Sequence, residues 1–170
     1  MDSLRTFITA ATSGILAACA SAEPLAVGAA LPEVSQKNQD GKAVKLAESG
    51  ATGHLLVYFY PKADTPGCTK QACSLRDSYA QLTEKGVKVL GVSMDGVKAQ
   101  KAFRDKYELP FDLLADEDGV VVKAFGVPSK LKFASRQAFL FKDGKLVWRD
   151  LSASTAQQAA DVLDYLTKNP

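Results

Sequence analysis

A three-layer α/β domain is what this sequence predicts, on three observations. Leu55–Tyr60 and Val87–Ser93 are largely apolar runs of the kind that form strands buried on both faces. Between and beyond them lie longer stretches with helix start and stop signals, so strands alternate with helices. The chain closes with an Asp143-Gly144 hairpin signal followed by an amphipathic segment.

Taken in order, residues 1–22 differ from the rest. Phe7 to Ala18 is uncharged and apolar or small, too short to span a bilayer. It fits the apolar part of a secretory signal, with Ala20-Ser-Ala22 as a small-x-small cleavage site. Leu16-Ala-Ala-Cys19 offers a rival reading, a bacterial lipobox in which Cys19 is lipidated. Either way the expectation is an exported domain over residues 23–170. A cytoplasmic chain is expected if the leader does not function, and Asp2 offsetting Arg5 weakens its positive region.

Glu23–Pro32 is expected to be an exposed leader. Pro32–Val34 and Gln39–Leu46 read as two short strands around Asp40-Gly41. His54–Tyr60 is the first buried strand, and Pro66–Glu84 a helix ended by Gly86. Val87–Ser93 is a strand, Lys98–Tyr107 a charged amphipathic helix, Asp112–Leu114 a short strand and Val120–Phe125 a short helix. Val127-Pro128 begins a loop. Gln137–Phe141 and Lys145–Arg149 form the hairpin. Ser154 caps a last helix, Thr155–Lys168, with Ala160, Val162, Leu163 and Leu166 as its apolar stripe.

The chemistry concentrates where the first buried strand breaks at Pro61. Thr65 is a good N-cap, Pro66 suits the first helical position, and Cys68 falls in the first turn. Free backbone N–H groups and the positive end of the helix dipole favour an anion there. A thiol so placed is expected to ionise more readily than a free one, and the thiolate is the reactive form. Cys73 lies five residues on. Along a helix that is a rise of roughly 7.5 Å and a rotation of about 140° off the same face. The two Cα atoms are then ~8–9 Å apart, beyond the ~7 Å limit for a disulfide. Two thiols in a folded helix and a disulfide in an unwound one are therefore alternative states.

Pro61-x-x-x-Thr65-x-x-Cys68 resembles the active-site signature of peroxiredoxins. With Cys73 and the following Ser-Leu-Arg-Asp77 it is similar to their bacterioferritin comigratory protein, or Q-type, subfamily. The likeness runs from about Val27 to the C-terminus, through Gly91–Asp95, Leu114–Gly119, Phe125–Val127 and Arg136-x-x-Phe-Leu-Phe-x-Asp-Gly144. It implies a thioredoxin-like fold, a central mixed sheet flanked by helices with an N-terminal β-hairpin addition. It also implies roles. Cys68 would attack a peroxide and become a sulfenic acid, and Cys73 would resolve it as an intramolecular disulfide. Thr65 would hydrogen-bond the thiolate and the peroxide, Pro61 would shield Cys68 from water, and Arg136 would stabilise the thiolate. Arg149 and, more remotely, Arg76 are rivals for the arginine. The bland readings are a small buried hydrophobe for either cysteine, a plain N-cap for Thr65, a strand terminator for Pro61 and a solvated loop residue for Arg136.

The implied activity is a thiol peroxidase for hydrogen peroxide and organic hydroperoxides, recycled by a thioredoxin-like or glutaredoxin-like reductant. A monomer is expected, because both cysteines sit in one helix. A general thiol-disulfide oxidoreductase would carry Cys-x-x-Cys, and a copper carrier on the same fold Cys-x-x-x-Cys with a downstream histidine. The single histidine, His54, precedes both cysteines, and at a strand start it is expected to be exposed. Trp148 and Tyr165 read as packing residues. No cofactor or metal is expected, for the chain has no zinc-spaced Cys/His cluster and no Gly-rich phosphate loop. A net charge of +2 with no basic cluster argues against nucleic acid. The 46% hydrophobic and 24% charged composition is that of one ordinary globular domain.

Overall fold

The structure, a computed structural model, describes residues 23–169. The leader and Cys19 lie outside the described residues. In chain order the elements are β1 (Ser35–Lys37), β2 (Ala43–Lys45), α1 (Leu46–Ser49), β3 (His54–Phe59), α2 (Pro66–Asp77), α3 (Tyr79–Glu84), β4 (Val87–Ser93) and α4 (Val97–Lys106). There follow β5 (Asp112–Ala115), α5 (Val120–Ala124), β6 (Ser129–Lys130), β7 (Phe133–Ala134), β8 (Gln137–Lys142), β9 (Lys145–Asp150) and α6 (Gln158–Lys168).

The central sheet is mixed, in the order β5-β4-β3-β8-β9. β3, β4 and β5 run parallel, while β8 and β9 pair antiparallel. Side chains of β3 alternate between two cores, as the period of a strand requires. Leu56, Tyr58 and Tyr60 face a layer with Cys68, Leu75, Phe103 and Val162. Leu55, Val57 and Phe59 face Val121, Phe125 and Phe139. The parallel strands need covered faces, and the helices supply the cover.

The N-terminal additions protect the sheet's edges, where unpaired backbone groups would invite another strand. Outside β5, Gln39 is fully buried. Its amide donates to Asp112 Oδ1 at 2.8 Å, and its carbonyl accepts Leu113 N–H at 2.7 Å. Outside β9, the segment expected to be an exposed leader is ordered along the strand, with Ala26, Val27, Gly28 and Ala30 exposed as expected. Gly28 N–H bonds Leu146 O at 2.8 Å, Leu146 N–H bonds Ala29 O at 2.9 Å, and Leu31 is buried. The edge of β9 offers hydrogen bonds that small residues can approach closely, which composition alone does not show.

Local chemistry moves other boundaries. The first strand of the N-terminal hairpin is Ser35–Lys37 rather than Pro32–Val34. The expected helix over Pro66–Glu84 breaks at Ser78, whose φ of −100° and ψ of 7° end α2 and start α3. Serine is a weak helix former, and the break lets Tyr79 pack against Phe111 with ring centroids 5.9 Å apart. α5 starts after Gly119 at φ 73°, its first amides held by buried Asp116, which accepts from Val121 and Val122 at 3.0 and 2.8 Å. Ser154 Oγ does accept the N–H groups of Ala156 and Gln157, but regular helix begins only at Gln158. The buried stripe there is Gln158, Ala159, Val162 and Leu166, with Ala160 exposed. The loop expected after Pro128 contains the small β6–β7 hairpin.

Candidate active site

The β3–α2 loop carries the chain from sheet to helix, and two networks hold it. Tyr60 O–H donates to the side-chain carbonyl of Gln100. Gln100 Nε2 in turn donates to Ser93 Oγ at 2.9 Å and Leu114 O at 2.8 Å. Ser93 O–H then reaches Asp95 Oδ2 at 2.7 Å, and that same oxygen accepts Ala63 N–H at 2.8 Å. Next, Asp64 sits at φ 56°, a conformation that aspartate tolerates. Its carboxylate takes Lys106 Nζ at 2.8–2.9 Å and Tyr107 O–H at 2.7 Å. Those bonds, Lys106 first, hold it below the usual carboxylate range.

Thr65 stands at the N-cap of α2 by its backbone, φ −97° and ψ 152°, and its carbonyl accepts Thr69 N–H at 2.8 Å. Its hydroxyl does not cap. It donates to Lys62 O at 3.1 Å, inside the loop, so the expected side-chain cap is corrected. The hydroxyl's single proton is engaged there and its lone pairs stay free to accept. Pro61 terminates β3 and lines a shallow groove with Pro128, Phe133 and Ala134.

Cys68 is buried on the first turn of α2, only 2% exposed. Arg136, the residue before β8, reaches it, with Nη2 donating to Cys68 Sγ at 3.4 Å. The two other arginines weighed for this place are occupied elsewhere. Arg149 Nη1 holds the carbonyls of Pro24 and Leu25 at 2.9 and 2.6 Å, fastening the N-terminal strap. Arg76 bonds Asp77 and the carbonyl of Tyr107. Cys73 lies on the same helix as Cys68, half-buried, beside a groove formed with Lys70, Ser74, Asp77 and Ala156. Both cysteines are free thiols.

Tyr58 packs beneath the site. Burial first, and then the neighbouring Tyr60, Cys68 and Cys73, push its phenol well above the ordinary range, so it stays protonated. His54 is half-buried rather than exposed and lies at the far end of β3. Among the described residues no group of three or more His, Cys, Asp or Glu side chains is placed to hold a metal.

Two glutamines complete the site, and neither was anticipated. Gln71 is fully buried, and its side-chain carbonyl accepts a hydrogen bond from Arg136 Nη1. Its amide donates to Gln158 Oε1 at 2.6 Å, on the first turn of α6. Their signal was present in the helical period. Cys68, Gln71, Ala72 and Leu75 are the buried stripe of α2, and Gln158 opens that of α6. A glutamine on a core stripe needs a buried partner. Gly67 is a third. A methyl group there would stand 3.3 Å from Arg136 Nη2 and 3.5 Å from Thr155 Cγ2.

The chain resembles known proteins both in sequence and in fold. The AhpC/TSA family matches residues 27–149. A chloroplastic peroxiredoxin Q from Oryza sativa subsp. japonica is 47% identical over 104 residues, 61% of this chain and 48% of its own length. Peroxiredoxin bcp1 of Schizosaccharomyces pombe is 39% identical over 132 residues, 75% of this chain and 67% of that protein. The chain thus spans about half the length of the plant relatives it matches. Among solved structures, peroxidoxin BcpB from Mycobacterium tuberculosis superposes with a TM-score of 0.79 at 29% identity, covering 85% of this chain and 97% of that one. A bacterioferritin comigratory protein of Xanthomonas campestris, described for its alkyl peroxide reduction activity, gives 0.77 at 28% identity, covering 84% and 98%. These neighbours share the thioredoxin-like fold with its mixed central sheet. On the family match over most of its length, with homologues named peroxiredoxin Q and bacterioferritin comigratory protein, the chain belongs to the AhpC/TSA family.

Proposed function

We propose that the protein is a two-cysteine thiol peroxidase reducing hydrogen peroxide and organic hydroperoxides. The observation that carries this reading is Arg136 Nη2 at 3.4 Å from the buried Cys68 sulfur at a helix N-terminus. A guanidinium stays charged and presents several donors, so it can hold negative charge on sulfur and on the departing oxygen. Thiolate Sγ attacks the terminal peroxide oxygen. The O–O bond breaks, its electron pair leaves on the distal oxygen, and that oxygen takes a proton to become water or an alcohol. Cys68 is left as a sulfenic acid. The free acceptor lone pairs of Thr65 Oγ1 and the shelter of Pro61 position the incoming hydroperoxide.

The Cys73 thiolate then attacks the Cys68 sulfur, expelling hydroxide, which leaves as water. Five residues of helix separate the cysteines too widely for a bond, so α2 unwinds for this step. The break at Ser78 confines the unwinding to α2. A thioredoxin-like or glutaredoxin-like thiol attacks the resulting disulfide and restores both thiols. The enzyme acts as a monomer, since one chain holds both cysteines. The 1–22 leader exports it, by cleavage or by a lipid anchor at Cys19; mass spectrometry of the mature N-terminus decides between these.

Intact mass after one equivalent of hydrogen peroxide tests the chemistry. Wild type should lose two hydrogens, and Cys73→Ser should gain one oxygen at Cys68. A wild-type chain that stays fully reduced would refute the reading.

A further inference from the structure

The β6–β7 hairpin breaks two local rules at once. Its turn residues are Leu131 and Lys132, at φ 51° and 63°. A two-residue hairpin turn of this kind is normally supplied by Asn or Gly, and a bulky side chain there is strained. Such strain is retained where something else requires the residue. Leu131 is also 82% exposed, and Phe133 beside it is 45% exposed. They are two of the most exposed large apolar side chains among the described residues.

The surroundings are cationic. Lys130 and Lys132 flank Leu131, and Lys62 from the β3–α2 loop stands over the Phe133 ring at 5.9 Å. From Gly119 to Lys142 the chain carries Lys123, Lys130, Lys132, Arg136 and Lys142 and no acidic residue. Expected from sequence to be without a basic cluster, the protein gains one here by folding, because Lys62 is brought to the hairpin. Behind the tip runs the apolar groove of Pro61, Pro128 and Ala134.

An apolar tip in a ring of lysines suits a surface that is anionic outside and apolar beneath. We propose that this hairpin docks the protein on an anionic lipid bilayer. Leu131 and Phe133 enter the boundary between headgroups and acyl chains, and Lys62, Lys130 and Lys132 meet the phosphates. Charge favours a bilayer over a second copy of the chain, since a two-fold contact would set this lysine cluster against its own image. Pro61 lines the groove, and Ser135 beside it leads directly into Arg136, so docking turns this side of the Cys68 site toward the lipid. Binding is read directly and does not depend on the peroxidase reading.

The test is co-sedimentation of the full chain with phosphatidylglycerol/phosphatidylcholine vesicles and with phosphatidylcholine alone, at low and high salt. Wild type should bind the anionic vesicles, and salt should weaken the binding. Leu131→Asp and the double variant Lys130→Glu/Lys132→Glu should each bind about tenfold or more weakly. Val120→Asp, also at an exposed position, should bind as wild type. Unchanged thermal melts would show that the variants fold. The proposal fails if wild type ignores anionic vesicles, or if the hairpin variants bind as well as wild type. It fails also if light scattering finds a dimer that Leu131→Asp abolishes.

Discussion

Gln71 holds Arg136 in place: one nitrogen of the guanidinium bonds the glutamine carbonyl while the other reaches Cys68 Sγ at 3.4 Å. Gln71 is itself held by Gln158 at 2.6 Å, so the geometry at the sulfur depends on a helix more than eighty residues away in sequence. Replacing Gln71 by Leu should leave the guanidinium free to swing. The expected loss in the second-order rate with hydrogen peroxide is on the order of 10²-fold, the cost of a small misplacement of a catalytic group. Stopped-flow fluorescence measures it. Gln71→Glu, which keeps an acceptor for Arg136, should recover part of the rate, and a purely structural role would not show that recovery.

Arg136→Lys should not substitute for arginine. A single ammonium cannot serve both the Gln71 carbonyl and the sulfur as a planar fork does. The peroxide rate should fall by about 10²–10³-fold, as for loss of one preorganised electrostatic donor. If Arg136→Lys keeps most of the wild-type rate, charge alone suffices and the fork geometry is irrelevant.

Gly67→Ala should separate stability from reactivity. Alanine in place of glycine in a helix is favourable by roughly 0.5–1 kcal/mol. The new methyl would crowd Arg136 Nη2 at 3.3 Å and make only an ordinary contact with Thr155 Cγ2 at 3.5 Å. The melting temperature should hold or rise while the peroxide rate falls several-fold. Equal rates would mean that Arg136 adjusts without consequence.

Tyr60→Phe removes the hydroxyl that donates to buried Gln100. An acceptor left unsatisfied in the core costs about 1–3 kcal/mol. Gln100 also bonds Ser93, and Ser93 bonds the Asp95 carboxylate that holds Ala63, so the β3–α2 loop should loosen too. Urea unfolding gives the stability, and amide exchange at Ala63 gives the local effect.

His54 should make stability fall with acid. Burial first, and then Lys142, lower its pKa from the ordinary 6.5. As pH drops below about 6.5, the unfolded chain takes up the proton before the folded chain does, which favours unfolding. The contribution is present above that pH and is lost as pH falls through the lowered folded value. His54→Gln should flatten the melting-temperature profile in this window. An unchanged profile would assign the dependence to other groups.

Much of the fold was legible because strong local signals agreed. The apolar run of β3, Thr65-Pro66 before α2, and Asp143-Gly144 between β8 and β9 each mark an element through its own backbone preferences. Asp143 and Gly144 do take φ of 49° and 75°, the turn that such a pair favours. What was missed involved partners distant in sequence. The strap of residues 24–31 is ordered by the edge of β9 and by Arg149, and the break at Ser78 goes with Tyr79 packing on Phe111. The β6–β7 turn at Leu131-Lys132 lacks any of the residues that announce such a turn.

By itself the amino-acid order determined which residues could be reactive and where α2 and the five strands of the central sheet would start, because caps, prolines, glycines and hydrophobic period act over a few residues. Folding decided which of three arginines meets Cys68, that two glutamines hold it there, that the Thr65 hydroxyl turns back to Lys62 instead of capping, and that Lys62 joins the hairpin lysines. Those outcomes rest on hydrogen bonds and packing between segments far apart in the chain, made only when the β3–β8 register sets Gln137 beside Phe59 and Arg136 over the start of α2.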